Sequence, residues 1–99
     1  MPEKPMQQRL NIELPEDVAD GTYANMVIIA HSQSEFVFDF ARITPGAKKT
    51  KVQTRVIMTP SNAVRFMKTL EDNIKKFQEK HGEIDITGVE KSKGIGFSM

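Results

Sequence analysis

Residues 22–40, TYANMVIIAHSQSEFVFDF, consist of two apolar runs separated by three small polar residues, Ser32, Gln33 and Ser34. Two such runs, rich in β-branched and aromatic residues and broken by so short a polar stretch, are the signature of an antiparallel hairpin. The first contains the longest unbroken apolar stretch of the chain, residues 26–30, and the second contains three of its six phenylalanines. Residues 23–31 are apolar on both alternations, as suits a strand covered on both faces, and strand character resumes over residues 35–43. With a three-residue loop, His31 lies opposite Glu35, Ala30 opposite Phe36, Ile28 opposite Phe38 and Met26 opposite Phe40. That register gathers Ala24, Met26, Ile28, Ala30 and the three phenylalanines on one face. It leaves Tyr23, Asn25, Val27, Ile29, His31, Glu35, Val37, Asp39, Ala41 and Ile43 on the other. A loop of two or four residues would invert one strand's faces.

Upstream of the hairpin, Leu10, Ile12 and Leu14 alternate with polar residues. They predict a half-buried strand over residues 7–14, stopped by Pro15, which has no N–H for a ladder. Residues 1–6 hold two prolines and two charges and are expected to fray. Downstream, Thr44-Pro45-Gly46 marks a turn and residues 47–50 make a basic, exposed connection. In residues 51–58, Val52, Thr54, Val56 and Met58 alternate with Lys51, Gln53, Arg55 and Ile57. This is a strand with one wet face, suited to a sheet edge.

Thr59 as N-cap and Pro60 at the first position open a helix predicted over Pro60–His81. Its apolar stripe is Ala63, Phe66, Met67, Leu70, Ile74 and Phe77, at three- and four-residue spacing. Glu71–Lys75 and Asp72–Lys76 are favourably ordered i,i+4 pairs. Lys80 and His81 suit the negative end of the helix dipole, and Gly82 stops the helix. Residues 83–86 allow a short further strand. Residues 87–99, rich in Gly and Ser, read as a flexible tail whose Ile95 and Phe97 offer contacts to a partner. The expected fold is therefore α+β. One domain, residues 7–86, forms an antiparallel meander sheet of about four strands with one long C-terminal helix on one face.

A chain of 99 residues makes one domain with a thin core, because small domains have much surface for their volume. With 14 basic and 13 acidic residues and no cysteine, bulk charge draws it to neither nucleic acid nor membrane, and thiol chemistry is absent. No apolar run approaches the roughly 18 residues of a spanning helix, and residues 1–8 lack a signal-peptide core. A soluble cytoplasmic protein is expected.

His31, Ser32, Glu35 and Asp39 are the one close gathering of polar groups with catalytic potential. A hairpin tip, however, gives a nucleophile neither enclosure nor oxyanion donors, so loop capping is the preferred reading. Asp39, between Phe38 and Phe40, must be paired or exposed, and pairing with a cation is preferred. Arg42, Arg55, Lys51 or an arginine of a second subunit could supply it. Asn25 is expected to bond backbone at an edge or bulge. Lys48, Lys49, Lys51 and Arg55 pose the nucleic-acid question, but Tyr23 is the only aromatic free to stack, and a solvated loop is preferred. Two histidines fifty residues apart match no metal-ligand spacing, and no catalytic residue, metal or cofactor is assigned.

The pieces ELPEDVADGTYANMVIIAHSQSEFVFDFARITPG, KVQTRVIMTPSNAVRFMKTLEDNIKKF and HGEI together resemble a family of small bacterial proteins. It is known only as a domain of unknown function (family thirty-four sixty-seven). The most specific elements are Tyr23-Ala24-Asn25, Ser34-Glu35-Phe36 through Asp39-Phe40, and Thr59-Pro60. The resemblance implies a compact α+β unit and carries no activity. At the level of fold alone, antiparallel strands followed by a long helix look like the SecB-type export chaperone.

One helix covers one sheet face, and an apolar second face marks an interface. A homodimer through sheet faces or paired edges is therefore expected. Tyr23, Asn25, Val27, Ile29, Val37, Asp39 and Ile43 form the candidate interface. The function expected is a non-enzymatic, homo-oligomeric protein-binding or scaffolding module. The alternatives are a nucleic-acid binder using Lys48, Lys49, Lys51 and Arg55, or a SecB-like chaperone.

Overall fold

A computed structural model describes residues 10–86 and the backbone of residues 97–98. Its elements in chain order are a one-turn helix α1 (Glu16–Ala19), strands β1 (Met26–His31), β2 (Phe36–Ala41) and β3 (Val52–Met58), the long helix α2 (Pro60–His81), and a two-residue strand β4 (Phe97–Ser98). The sheet order is β3-β2-β1-β4. The first three strands form an antiparallel meander, and β4 lies parallel to β1 at Val27 and Ile28. The class is thus α+β, with a three-stranded antiparallel sheet and a long C-terminal helix.

In its described part, the strand expected over residues 7–14 is not seen. Residues 7–9 lie outside the described residues, and residues 10–14 are without regular structure. Leu10, Ile12 and Leu14 are 69%, 87% and 66% exposed, so no sheet face receives them. Residues 83–86 likewise form no strand. The tail expected to be flexible lies outside the described residues, except that the backbone of Phe97 and Ser98 takes the β1 edge.

The hairpin forms, but one residue out of the expected register. His31 pairs with Phe36, Ala30 with Val37, Ile29 with Phe38, Ile28 with Asp39 and Val27 with Phe40. The reason lies at the tip, where the loop is four residues long. Ser32 N–H donates to the Glu35 carbonyl at 2.9 Å. The Ser32 hydroxyl accepts from the N–H groups of Ser34 and Glu35 at 3.2 and 3.3 Å. One side chain thereby satisfies donors that a tight turn would leave unpaired. One face now carries Val27, Ile29 and His31 with Phe36, Phe38 and Phe40. The opposite face carries Met26, Ile28 and Ala30 with Val37, Asp39 and Ala41.

The turn after β2 is as expected. Ala47 N–H donates to Thr44 carbonyl at 3.1 Å, and Gly46 takes φ +85° after Pro45, the arrangement of a type II turn. Strand β3 continues the phenylalanine face with Thr54, Val56 and Met58, and a bulge at Gln53 shifts its pairing near Ala41.

Helix α2 begins and ends at the predicted residues. Thr59 Oγ1 accepts from Asn62 N–H, Pro60 stands at the first position, and Gly82 closes the last turn at φ +93°, its N–H on Gln78 carbonyl. Of the two i,i+4 pairs, Asp72–Lys76 approaches to 3.9 Å. Over the sheet the core is small: Val27, Phe38 and Ala63 are buried, with Ile29, Phe36, Phe40, Val56 and Met58 packed around them. Phe66 meets Phe38 edge to face, with centroids 5.6 Å apart.

Candidate interaction surface

Helix α2 has 22 residues, about 33 Å at 1.5 Å per residue. Strands of six or seven residues reach only about 20–23 Å. The helix therefore outruns the sheet. Ala63 is its one buried residue. The first turns lie over the sheet, where Ile29, Phe36, Phe38, Phe66, Met67 and Leu70 line an apolar groove of about 350 Å³. Among the described residues, the hollows beside the stripe beyond Leu70 are lined only by the helix's own side chains and the returning residues 82–84. Ile74, Phe77 and His81 there face Ile84 across a hollow of about 570 Å³. Ile84 N–H donates to Gln78 Oε1 at 3.2 Å, which holds that return.

The stripe is consequently half open along its length. Met67 is 55% exposed, Leu70 48%, Ile74 39% and Phe77 49%. The sequence marks these residues as the apolar side of the helix, and the sheet covers only the part of that side nearest Ala63. The signal for the overhang was the ratio of helix length to strand length, available from the boundaries alone.

The expected interface set is divided by the register. Val27 and Ile29 turn toward α2 and belong to the core layer, whereas Val37 and Asp39 lie on the opposite face. Tyr23, Asn25 and Ile43 sit at the open end of the hairpin. The Asn25 amide donates to Ile43 carbonyl at 3.1 Å and accepts from Ile43 N–H at 2.7 Å, so a side chain adds one rung beyond the last backbone pair. Tyr23 carries the Arg42 guanidinium 5.3 Å from its ring centre, a cation–π contact.

Asp39 finds one of its expected partners. Arg55, directly across on β3, donates Nε and Nη2 to the two carboxylate oxygens at 2.7 and 2.9 Å, a bidentate geometry. Hydrogen bonding from Arg55 is the main cause that holds the Asp39 carboxyl below its ordinary value. Partial desolvation opposes it, and the arginine charge adds to it. The same bonding raises Arg55. Of the basic set, Arg55 is thus engaged, while Lys48, Lys49 and Lys51 are exposed on the connection before β3.

His31 lies against Phe36, with rings 5.4 Å apart, and does not face Glu35. With the Ser32 hydroxyl accepting two loop N–H groups, the tip is arranged as a cap. Among the described residues, no cluster of three or more His, Asp or Glu could hold a metal ion, and no helix is long and apolar enough to cross a membrane.

A small meander sheet bearing an over-long, half-uncovered amphipathic helix defines an α+β unit with an apolar contact surface. The chain belongs to the family described as protein of unknown function (DUF3467), whose model matches residues 1–86. No curated protein and no solved structure matches it.

Proposed function

We propose that this protein is a non-enzymatic, homo-oligomeric protein-binding or scaffolding module of the cytoplasm. The observation that carries this reading is the half-exposed stripe Met67, Leu70, Ile74 and Phe77. These residues alternate at spacings of three, four and three, the pattern of a coiled-coil seam, with Ile and Leu in the positions that favour two strands. The occupant it suits best is the same stripe of a second copy, since a two-fold contact matches a surface to itself. The absence of cysteine fits a reducing compartment.

Sedimentation velocity across a micromolar concentration series tests this: a mass twice that of the 11.2 kDa chain is expected, and a single monomeric species would sink it. Two other readings remain open to direct trial. The apolar groove supports a SecB-like holding of unfolded chains, to be read as suppressed aggregation of an unrelated denatured protein. Lys48, Lys49 and Lys51 support a nucleic-acid contact, which would weaken steeply with salt.

A further inference from the structure

Among the described residues, two parts of this chain stand without a strand partner. Residues 10–14 alternate like a strand, yet Leu10, Ile12 and Leu14 stand in solvent. Among the described residues, strand β3 is the last in the sheet order, so its outer edge offers a row of backbone groups with no described strand against it, a template for another strand. We propose that residues 10–14 of one copy add to the β3 edge of a second copy as an antiparallel strand, so that two chains exchange arms. This rests on the homo-oligomeric reading above and names a contact within it.

Charge selects the occupant's direction. The arm continues into Glu16 and Asp17, and β3 is entered through Lys48, Lys49 and Lys51. In the antiparallel direction those acids run toward the lysines; in the parallel direction they run away from them. Side-chain alternation then restricts the register, because a one-residue slip moves every side chain to the other face. The leucines and isoleucine belong beside Val56 and Met58, on the face that carries the core. Pairing Leu10 with Met58, Ile12 with Val56 and Leu14 with Thr54 achieves this.

The same register sets Glu13 across from Arg55. Arg55 uses Nε and Nη2 on Asp39, its side chain is 62% exposed, and a guanidinium has five N–H donors. A second carboxylate can therefore bind its outer side and complete an Asp39–Arg55–Glu13 chain. Pro15, which has no N–H to give, falls opposite Gln53, the residue at which β3 already bulges. Exchange is reciprocal, so each copy covers its partner's edge and assembly closes at two chains instead of growing.

The natural chain has no cysteine, so linkage can be read without background. In the proposed register Asn11 faces Ile57, within the reach of a disulfide between paired strands. Full-length Asn11→Cys and Ile57→Cys proteins are mixed, oxidised mildly and resolved by non-reducing electrophoresis with mass analysis. A mixed disulfide dimer is expected, at about ten times the yield of Asn11→Cys with the off-register Lys51→Cys, on the scale of a strongly geometry-dependent bond. An intrachain disulfide in the double variant would place the arm on its own edge and overturn the proposal. Absence of the link in a protein that still sediments as a dimer would overturn the exchange and leave the homo-oligomer standing. A monomer throughout would overturn both.

Discussion

Replacing Ile74 by Gln probes the helix surface with little other disturbance. Gln is at least as good a helix former as Ile, and no sheet residue lines the hollows beside position 74, so the protomer should keep its fold. Full burial of such a side chain is worth about 1.5–3 kcal/mol. Ile74 is 39% exposed in the protomer, which leaves about 0.6–1.2 kcal/mol per copy to be gained when a partner covers it. A two-fold contact counts the change twice, so the dimer should lose about 1.2–2.4 kcal/mol, a roughly seven- to fifty-fold rise in Kd. Sedimentation over a concentration series measures this, with far-ultraviolet circular dichroism confirming that the helix persists. Lys68→Gln, which lines neither hollow, serves as the control and should leave Kd unchanged. A Kd for Ile74→Gln within twofold of the parent would refute self-association through this stripe.

Phe38 is 7% exposed at the centre of the small core, and Phe38→Ala should cost about 3–5 kcal/mol. Against a domain of ordinary marginal stability, that displaces the urea midpoint far toward water; a shift of a few tenths molar would contradict the packing described. The Asp39 carboxyl is depressed in the folded state. Its contribution is therefore fully present above the ordinary aspartate pKa and lost as pH falls through the lower folded value. Urea titrations from pH 6 to pH 2 should show Asp39→Asn less stable than the parent near neutrality, with the two curves converging at the acid end. A gap that stays constant over that range would mean that the ion pair with Arg55 contributes nothing through its charge.

Where local chemistry decides the structure, the sequence was informative. Thr59, Pro60 and Gly82 delimit α2 because each satisfies or terminates backbone bonding within its own turn. Asp39 declared its need for a cation, and Arg55 was among the few residues able to answer. The register of the hairpin was not legible, because it depends on one hydroxyl. In the observed four-residue loop Ser32 serves two N–H groups, and that loop length places Val27 and Ile29, instead of Met26 and Ile28, beneath the helix. Residues 10–14 show the limit of periodicity, since alternation reports a capacity to pair without reporting where the partner edge is. Strand β4 is two residues long and pairs with β1 from some seventy positions away, too short a segment for any pattern to announce.

The overhang of α2 has a consequence for how this protein opens. Beyond Leu70 no sheet residue lines the hollows beside the helix, and among the described residues only the short return at 82–84 rests on it; a helical end of about three turns with so little support is marginal in water. Amide exchange should therefore be graded along α2, slow near Ala63, where opening requires breaking the sheet contact, and fast toward His81, where fraying suffices. Self-association through the stripe would flatten that gradient, and only at concentrations that populate the dimer. Protection at the far end of one helix would then report assembly, while the amides of β2 reported the fold.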